Sequence, residues 1–225
     1  ASLEQITVTA QKRTQSIQEV PISISTLSGE QFESLFSGGG DILELATRVP
    51  GLYAESSNGR VAPRFYIRGL GNTDFDLAAS QPVAIMMDGV VKENVVLKSF
   101  PLFDVSQVEV LRGPQGTLFG RNTTAGIVKF DTNKPTQDFE AFTEVSVGNL
   151  GTFNAEAAIS GGLTDELSGR FSVLSQNRGD WIDNGFTDES DAMGEYEELA
   201  WRGQLLWEPT SLDMTALLSV HGRDL

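Results

Sequence analysis

The sequence predicts an α+β globule that leads into antiparallel β-strands of transmembrane-barrel type. Two helix-capping patterns, with short strands set between glycines and prolines, indicate the globule. A two-residue alternation after Pro135, sustained for about ten residues at a time, indicates the strands, because that is the length of a tilted membrane-spanning strand. The change of pattern divides the chain into an N-terminal extension (1–15), the globule (16–138) and about five strands (139–225).

In the globule, "PISISTLS" alternates as a short strand. Ser28 opens "SGEQFESLF" with Gln31 three residues on, a capping-box pattern for a short helix. Asp41 and Glu44 repeat that signal ahead of "ILELATRV", and Pro50-Gly51 ends the second helix. "RFYIRG", "PVAIMMDG", "QVEVLRG" and "GIVKFDT" read as strands that close on glycine or a turn. Helices of the kind that regular βαβ crossovers need are missing after residue 50, which excludes a doubly wound sheet.

In the second half, Phe139, Ala141, Val145 and Val147 share one face, opposite Glu140, Glu144 and Ser146. Phe153, Ala155, Ala157 and Ile159 oppose Asn154, Glu156 and Ser160; Phe171 and Val173 oppose Arg170 and Ser172. Leu199, Trp201, Leu205 and Trp207 oppose Glu198, Arg202 and Gln204, and a fifth run covers Leu212 to Val220. A soluble antiparallel sandwich alternates in the same way. The strand lengths, the full charges on the polar face and the alternation of short turns ("GGLTDE", "EPTS") with variable loops ("GNLG", residues 180–198) favour the membrane.

Charge narrows the function classes. Residues 1–138 carry 12 basic and 15 acidic side chains, whereas residues 139–225 carry 4 basic and 16 acidic. So acidic a second half argues against nucleic acid, which needs a basic footprint. With no cysteine and a single histidine, His221, thiolate metal sites and a nucleophile–histidine–acid triad are out of reach, and no metal or cofactor is expected. No run of about 18 apolar residues marks a transmembrane helix, and "ASLEQITVTAQ" lacks the pattern of a signal peptide. The acidic segment 180–198 reads as a solvated loop rather than a calcium site, since the EF-hand spacing is absent.

Val108–Phe130, "VEVLRGPQGTLFGRNTTAGIVKF", concentrates four glycines, a proline and two arginines between two strands. A phosphate loop would need a lysine and a hydroxyl that "GPQGTLFGR" does not place. The other reading is a tightly turned structural element. "ITVTA", Ile6, Thr7, Val8, Thr9 and Ala10, is rich in β-branched residues and extended. It is either the first strand of the globule or a strand that adds to a partner's sheet.

These stretches resemble TonB-dependent outer-membrane receptors. "EQITVTAQKR" resembles the TonB box; "RVPGLYAESSNGRVAPRFYIRGLG" and "VAIMMDGV" resemble the first plug signatures. "VEVLRGPQGTLFGRNTTAGIVKFDTNKP" matches the most specific signature almost throughout, with Lys129 where asparagine is common. The resemblance implies a plug domain seated in a barrel of about 22 strands. It also implies uptake of a scarce nutrient such as a ferric siderophore, driven by the TonB–ExbB–ExbD complex pulling on the box. Outer-membrane lipid and an extracellular ligand would be the other partners, with the N-terminus in the periplasm. Oligosaccharide or cobalamin uptake, or signalling without transport, are the alternatives; a hydrolase built on Asp74 and Asp76 has less to support it.

By the same resemblance, Arg68 and Arg112 are plug arginines that pair with barrel glutamates, a latch whose bland alternative is bonding to nearby carbonyls. Pro50, Gly51, Gly69, Gly113, Pro114, Gly116, Gly120 and Arg121 belong to the signature turns. Ser56, Ser57, Asn58, Arg60, Asp74 and Asp76 are candidate ligand-facing apices, and Phe65 and Tyr66 are taken as strand packing. Five strands cannot close around such a plug, so a fragment of a longer receptor is expected.

Overall fold

The computed structural model describes residues 6–36, 39–57, 59–74, 76 and 79–225. The chain forms two compact units; the first ends at Thr132 and the second runs chiefly over Asn133–Leu225.

The first unit begins with β1 (Thr7–Val8), which pairs antiparallel with β2 (Gln15–Ser16). There follow β3 (Ser23–Ser28), α1 (Glu30–Phe36) and a 3-10 helix over Ile42–Thr47. Next come β4 (Leu52–Glu55), β5 (Arg64–Ile67), β6 (Leu70–Gly71), β7 (Val83–Met87) and β8 (Val90–Val91). A second 3-10 helix, Val96–Ser99, precedes β9 (Val105–Arg112), α2 (Gly116–Phe119) and β10 (Gly126–Thr132). The main sheet has the order β3-β9-β10-β7-β8, with only β10 and β7 parallel; β4-β5-β6 form a separate meander.

Both faces of the main sheet are covered, which is why "VAIMM" in β7 is buried at every position. Val108, Val110, Val128 and Phe130 pack on one face with Leu27, Phe32, Ile42, Leu45, Leu52 and Phe65. Ala84, Met86, Leu111 and Ile127 point to the other face, where Val8, Ala10 and Val20 lie over them. The N-terminal segment is thus one wall of the second core layer.

The helix signals landed with small shifts. Asp41 caps its helix, its carboxylate accepting the Leu43 N–H at 2.9 Å, but the helix is 3-10. Ser28 ends β3 instead of capping α1; Gly29, at φ +54°, turns the chain, and its carbonyl accepts the Phe32 N–H. In β10, Gly126 has φ +153°, and a Cβ there would lie 2.2 Å from the Leu111 carbonyl oxygen. Gly126→Ala is therefore expected to destabilise the globule by about 3 kcal/mol, combining backbone strain with overpacking. An unchanged thermal midpoint would show that the strands do not approach so closely.

The second unit holds β11 (Glu140–Val147), β12 (Phe153–Thr164), β13 (Leu167–Arg178), β14 (Ile182–Asn184), β15 (Glu189–Met193), β16 (Tyr196–Trp207) and β17 (Ala216–Asp224). The long strands form an antiparallel sheet, β11-β12-β13-β16-β17. Two details differ from the sequence expectation. Segment 180–198 carries a hairpin, β14–β15, because Asp183 and Asp180 accept the backbone N–H groups of Asp191 and Glu195. The fifth strand starts at Ala216, since the Leu212 N–H is used in a turn on the Pro209 carbonyl.

Burial in this sheet is inverted. Ser168, Ser172, Glu198, Arg202 and Gln204 are at most 4% exposed, whereas Ile159, Phe171, Leu199 and Leu218 are 48–61% exposed. The covered polar face brings Arg223 Nε within 2.7 Å of Glu198 Oε1 and Arg170 within 3.5 Å of Glu140. A soluble sandwich would bury the opposite face. An apolar stripe outward and ions inward is the membrane-barrel arrangement. Among the described residues no helix is long and apolar enough to cross a membrane, which has no bearing on strands.

Candidate functional site: an N-terminal strand clasped to a charged sheet face

The alternation of β9 and β10 sends Glu109 and Lys129, directly opposite each other in register, to the sheet face that the N-terminal segment covers. Glu109 is 0% exposed and Lys129 is 7% exposed. One oxygen of Glu109 accepts the Thr9 N–H at 2.7 Å and the Thr9 hydroxyl at 3.2 Å. The other lies 3.8 Å from Lys129 Nζ, which also donates to Thr9 Oγ1 and to Asp131. Gln107 adds a bond to the Thr7 carbonyl at 3.0 Å, and the Ile17 N–H donates to the Ile6 carbonyl.

Ile6, Thr7, Val8, Thr9 and Ala10 are therefore held in place. Val8 (1% exposed) and Ala10 (0%) plug the apolar part of the face, while Thr9 answers its charges. A buried ion pair contributes little net stability, but either member alone is costly. Thr9 supplies both hydrogen bonds that the Glu109 carboxylate accepts, all on one oxygen while the other has none. Lifting the segment would therefore leave a buried charge with no hydrogen bond. Of the two readings open at Ile6–Ala10, this conformation is the first strand of the globule. The sequence missed Glu109 entirely and noted Lys129 only as a departure from a motif.

Arg112, at the end of β9, bonds the Ser25 hydroxyl through two nitrogens at 2.8 and 2.9 Å and the Ser23 hydroxyl at 3.2 Å. Burial lowers its pKa, and the nearby charge of Arg68 lowers it further. Arg68 occupies the β5–β6 turn at φ +52°, its N–H on the Gly51 carbonyl and its side chain exposed. The structure thus brings together two cations 44 positions apart in sequence. Among the described residues neither side chain has a carboxylate partner, and Arg112 uses hydroxyls where carbonyls were the bland expectation.

The residues assigned to the signature turns have the following local geometry. Pro50-Gly51 separates the 3-10 helix from β4, with Gly51 at φ +80°, and Gly69 has φ +81°. The Gly113 and Gln115 N–H groups donate to the Ala125 and Thr123 carbonyls on either side of Pro114. Gly116 opens α2, and the Gly120 N–H closes it on the Gly116 carbonyl. These amides are committed to the turn, which is why the stretch cannot cradle phosphate. Arg121 goes further than a turn residue: it forms an exposed ion pair with Glu93 at 3.0 Å and, as the largest cause, holds that carboxyl's pKa low.

The apex candidates are scattered and locally bonded. Ser56 Oγ donates to the Val61 carbonyl, Ser57 Oγ accepts from Arg64, Arg60 is half-buried, and Asp74 accepts the Asp76 N–H in a local turn. Asn58 lies outside the described residues. Phe65 is core, as expected, but Tyr66 faces outward, pairs with Tyr53 at 5.5 Å and donates to Glu55 at 2.8 Å. Burial first and the Glu55 bond second raise the Tyr66 pKa. Gly71 permits this: a Cβ there would sit 2.0 Å from the Tyr66 ring. The sequence reading missed Tyr53 and Glu55, although "LYAE" alternates apolar with polar.

These parts define a membrane β-strand protein with an N-terminal globule that shelters its own first strand. Residues 16–127 match the TonB-dependent Receptor Plug Domain, and the chain belongs to the TonB-dependent receptor family. It is 26% identical over 191 residues to the ferric-pyoverdine 358 receptor of Pseudomonas putida, covering 84% of this chain and 22% of that one. It is 32% identical over 151 residues to the pesticin receptor of Yersinia pestis, covering 65% and 21%. Among solved structures, the ferric yersiniabactin uptake receptor FyuA from Yersinia pestis superposes with a TM-score of 0.79 at 25% identity, covering 90% of this chain and 31% of that one. The pyoverdine receptor FpvA of Pseudomonas aeruginosa shares the fold, with a TM-score of 0.75 at 19% identity over 96% and 30%. The chain spans about a quarter of the length of such relatives.

Proposed function

We propose that this chain is the plug domain and first barrel strands of a Gram-negative outer-membrane receptor that imports a ferric siderophore by TonB-coupled transport. The observation that carries the reading is the inside-out sheet, apolar outward and ionic inward, in the same chain as the plug. Siderophore is preferred over oligosaccharide or cobalamin because relatives named for ferric pyoverdine, ferrioxamine B and ferric yersiniabactin recur among the matches. Ile6–Ala10 is the handle for the inner-membrane TonB–ExbB–ExbD complex, periplasmic in orientation. Arg68 and Arg112 latch onto carboxylates supplied from beyond the five strands; the absence of an acidic partner for either among the described residues supports this. The outward tyrosine pair and the Ser56–Asp76 region are the ligand side.

Accumulation of a radiolabelled ferric siderophore in cells carrying the receptor tests the reading: it should collapse when the proton-motive force is dissipated. Val8→Pro should abolish this accumulation and leave surface binding of the siderophore intact, because proline removes the N–H that a partner strand would use and fixes φ. Normal uptake by that variant would refute the handle assignment.

A further inference from the structure

Between the start of β7 and the segments holding residues 91–98 and 121–122 lies a polar cavity of about 300 Å³. Lys98, on the 3-10 helix Val96–Ser99, lines it and is 4% exposed. Among the described residues its side chain has no hydrogen-bond or ion-pair partner. The carboxylate whose field reaches it, Glu93, is bonded to Arg121 and Asn122. Lys92 and Arg121 also line the cavity, giving three cations to one carboxylate in a chain whose net charge is −15. Gln81 lines it too, with Oε1 buried and unbonded, an acceptor in want of a donor.

A buried ammonium without an anion is costly, and burial drags the Lys98 pKa down to about 8. The cavity offers the missing partner room, with Lys92 and Arg121 in the same lining as Lys98. We propose that this cavity is a binding site for a small oxyanion that carries its own hydroxyl, hydrogen phosphate or an α-hydroxycarboxylate, with Lys98 as the central cation and Gln81 Oε1 accepting from the hydroxyl. The hydroxyl requirement comes from Gln81, since a fully deprotonated anion would leave that oxygen unpaired. The site lies within the plug and is independent of the transport reading.

Isothermal titration of the 225-residue chain in a neutral detergent, against inorganic phosphate, lactate and sulfate at pH 7, tests it. Saturable binding of phosphate or lactate is expected, and weaker binding of sulfate, which has the size but no hydroxyl. Lys98→Met should weaken phosphate binding about tenfold or more, the loss of a charge-assisted bond. Gln81→Leu should narrow the gap between phosphate and sulfate. Lys134→Met, away from the cavity, serves as the control. A phosphate isotherm unchanged in a Lys98→Met protein that keeps its thermal midpoint would overturn the proposal. So would the absence of saturable binding by any of the anions.

Discussion

Lys129→Met is expected to destabilise the plug by about 3–5 kcal/mol, because it leaves the Glu109 carboxylate enclosed with no countercharge. Glu109 is fully buried, so water cannot replace the ammonium without opening the face that Val8 and Ala10 cover. Glu109→Gln should act differently. It keeps the shape, loses the charge-assisted bond to the Thr9 N–H, and leaves Lys129 with Asp131. Its main effect should be local: hydrogen exchange at the Thr9 amide speeds up, and a cysteine placed at the fully buried Ala10 becomes open to a thiol reagent. The double variant Glu109→Gln/Lys129→Met should recover much of the stability lost by Lys129→Met alone, since no fully enclosed charge remains and Asp131, which also loses Lys129, is partly exposed to water. Thr9 protection that is identical in wild type and Glu109→Gln would mean that Val8 and Ala10 alone hold the segment.

The clasp gives the handle a threshold. A segment held only by backbone pairing of two residues with β2 would fray readily. Here extraction must also uncover Val8, worth roughly 1.5–3 kcal/mol of burial, and strip Thr9 from a buried ion pair. The same bonds that keep the segment from offering its edge to other strands set the work needed to free it.

What the sequence revealed and what it hid follow from the range of the interactions. The membrane strands were legible because a two-residue period is a local signal, and the exposed Ile159, Phe171 and Trp207 confirm its direction. The tight turns were legible because Gly51, Gly69, Gly113 and Gly120 occupy positive φ that other residues resist. The clasp was hidden because Thr9 and Glu109 lie 100 positions apart, and nothing local distinguishes "VEV" with an ion beneath a lid from "VEV" with an ion in water. The hairpin in the acidic segment was hidden for a related reason: its carboxylates cap backbone amides, which composition alone reads as solvation. Tyr53 and Tyr66 needed the β4–β5 register to become a pair.

In a receptor whose barrel is closed, Phe171→Arg is expected to cost about 2–4 kcal/mol in folding into phosphatidylcholine vesicles, and Trp207→Arg only about 0–1 kcal/mol. Both side chains are outward-facing and similarly exposed, 50% and 41%, so their surroundings in the folded chain do not separate them. Depth does. Phe171 lies mid-strand in β13, in register with Ile159 and Gly203, where an outward cation would meet hydrocarbon. Trp207 ends β16 beside the 208–215 turn, at the level where barrel aromatics meet headgroups and a guanidinium can reach water. If the stripe faced water instead, both arginines would fall within about 0.5 kcal/mol of wild type. Both would also raise aqueous solubility by breaking up an apolar surface. Equal losses at the two positions would point to packing against another protein layer. Only the depth gradient, measured by reversible urea unfolding from vesicles, identifies the stripe as lipid-facing.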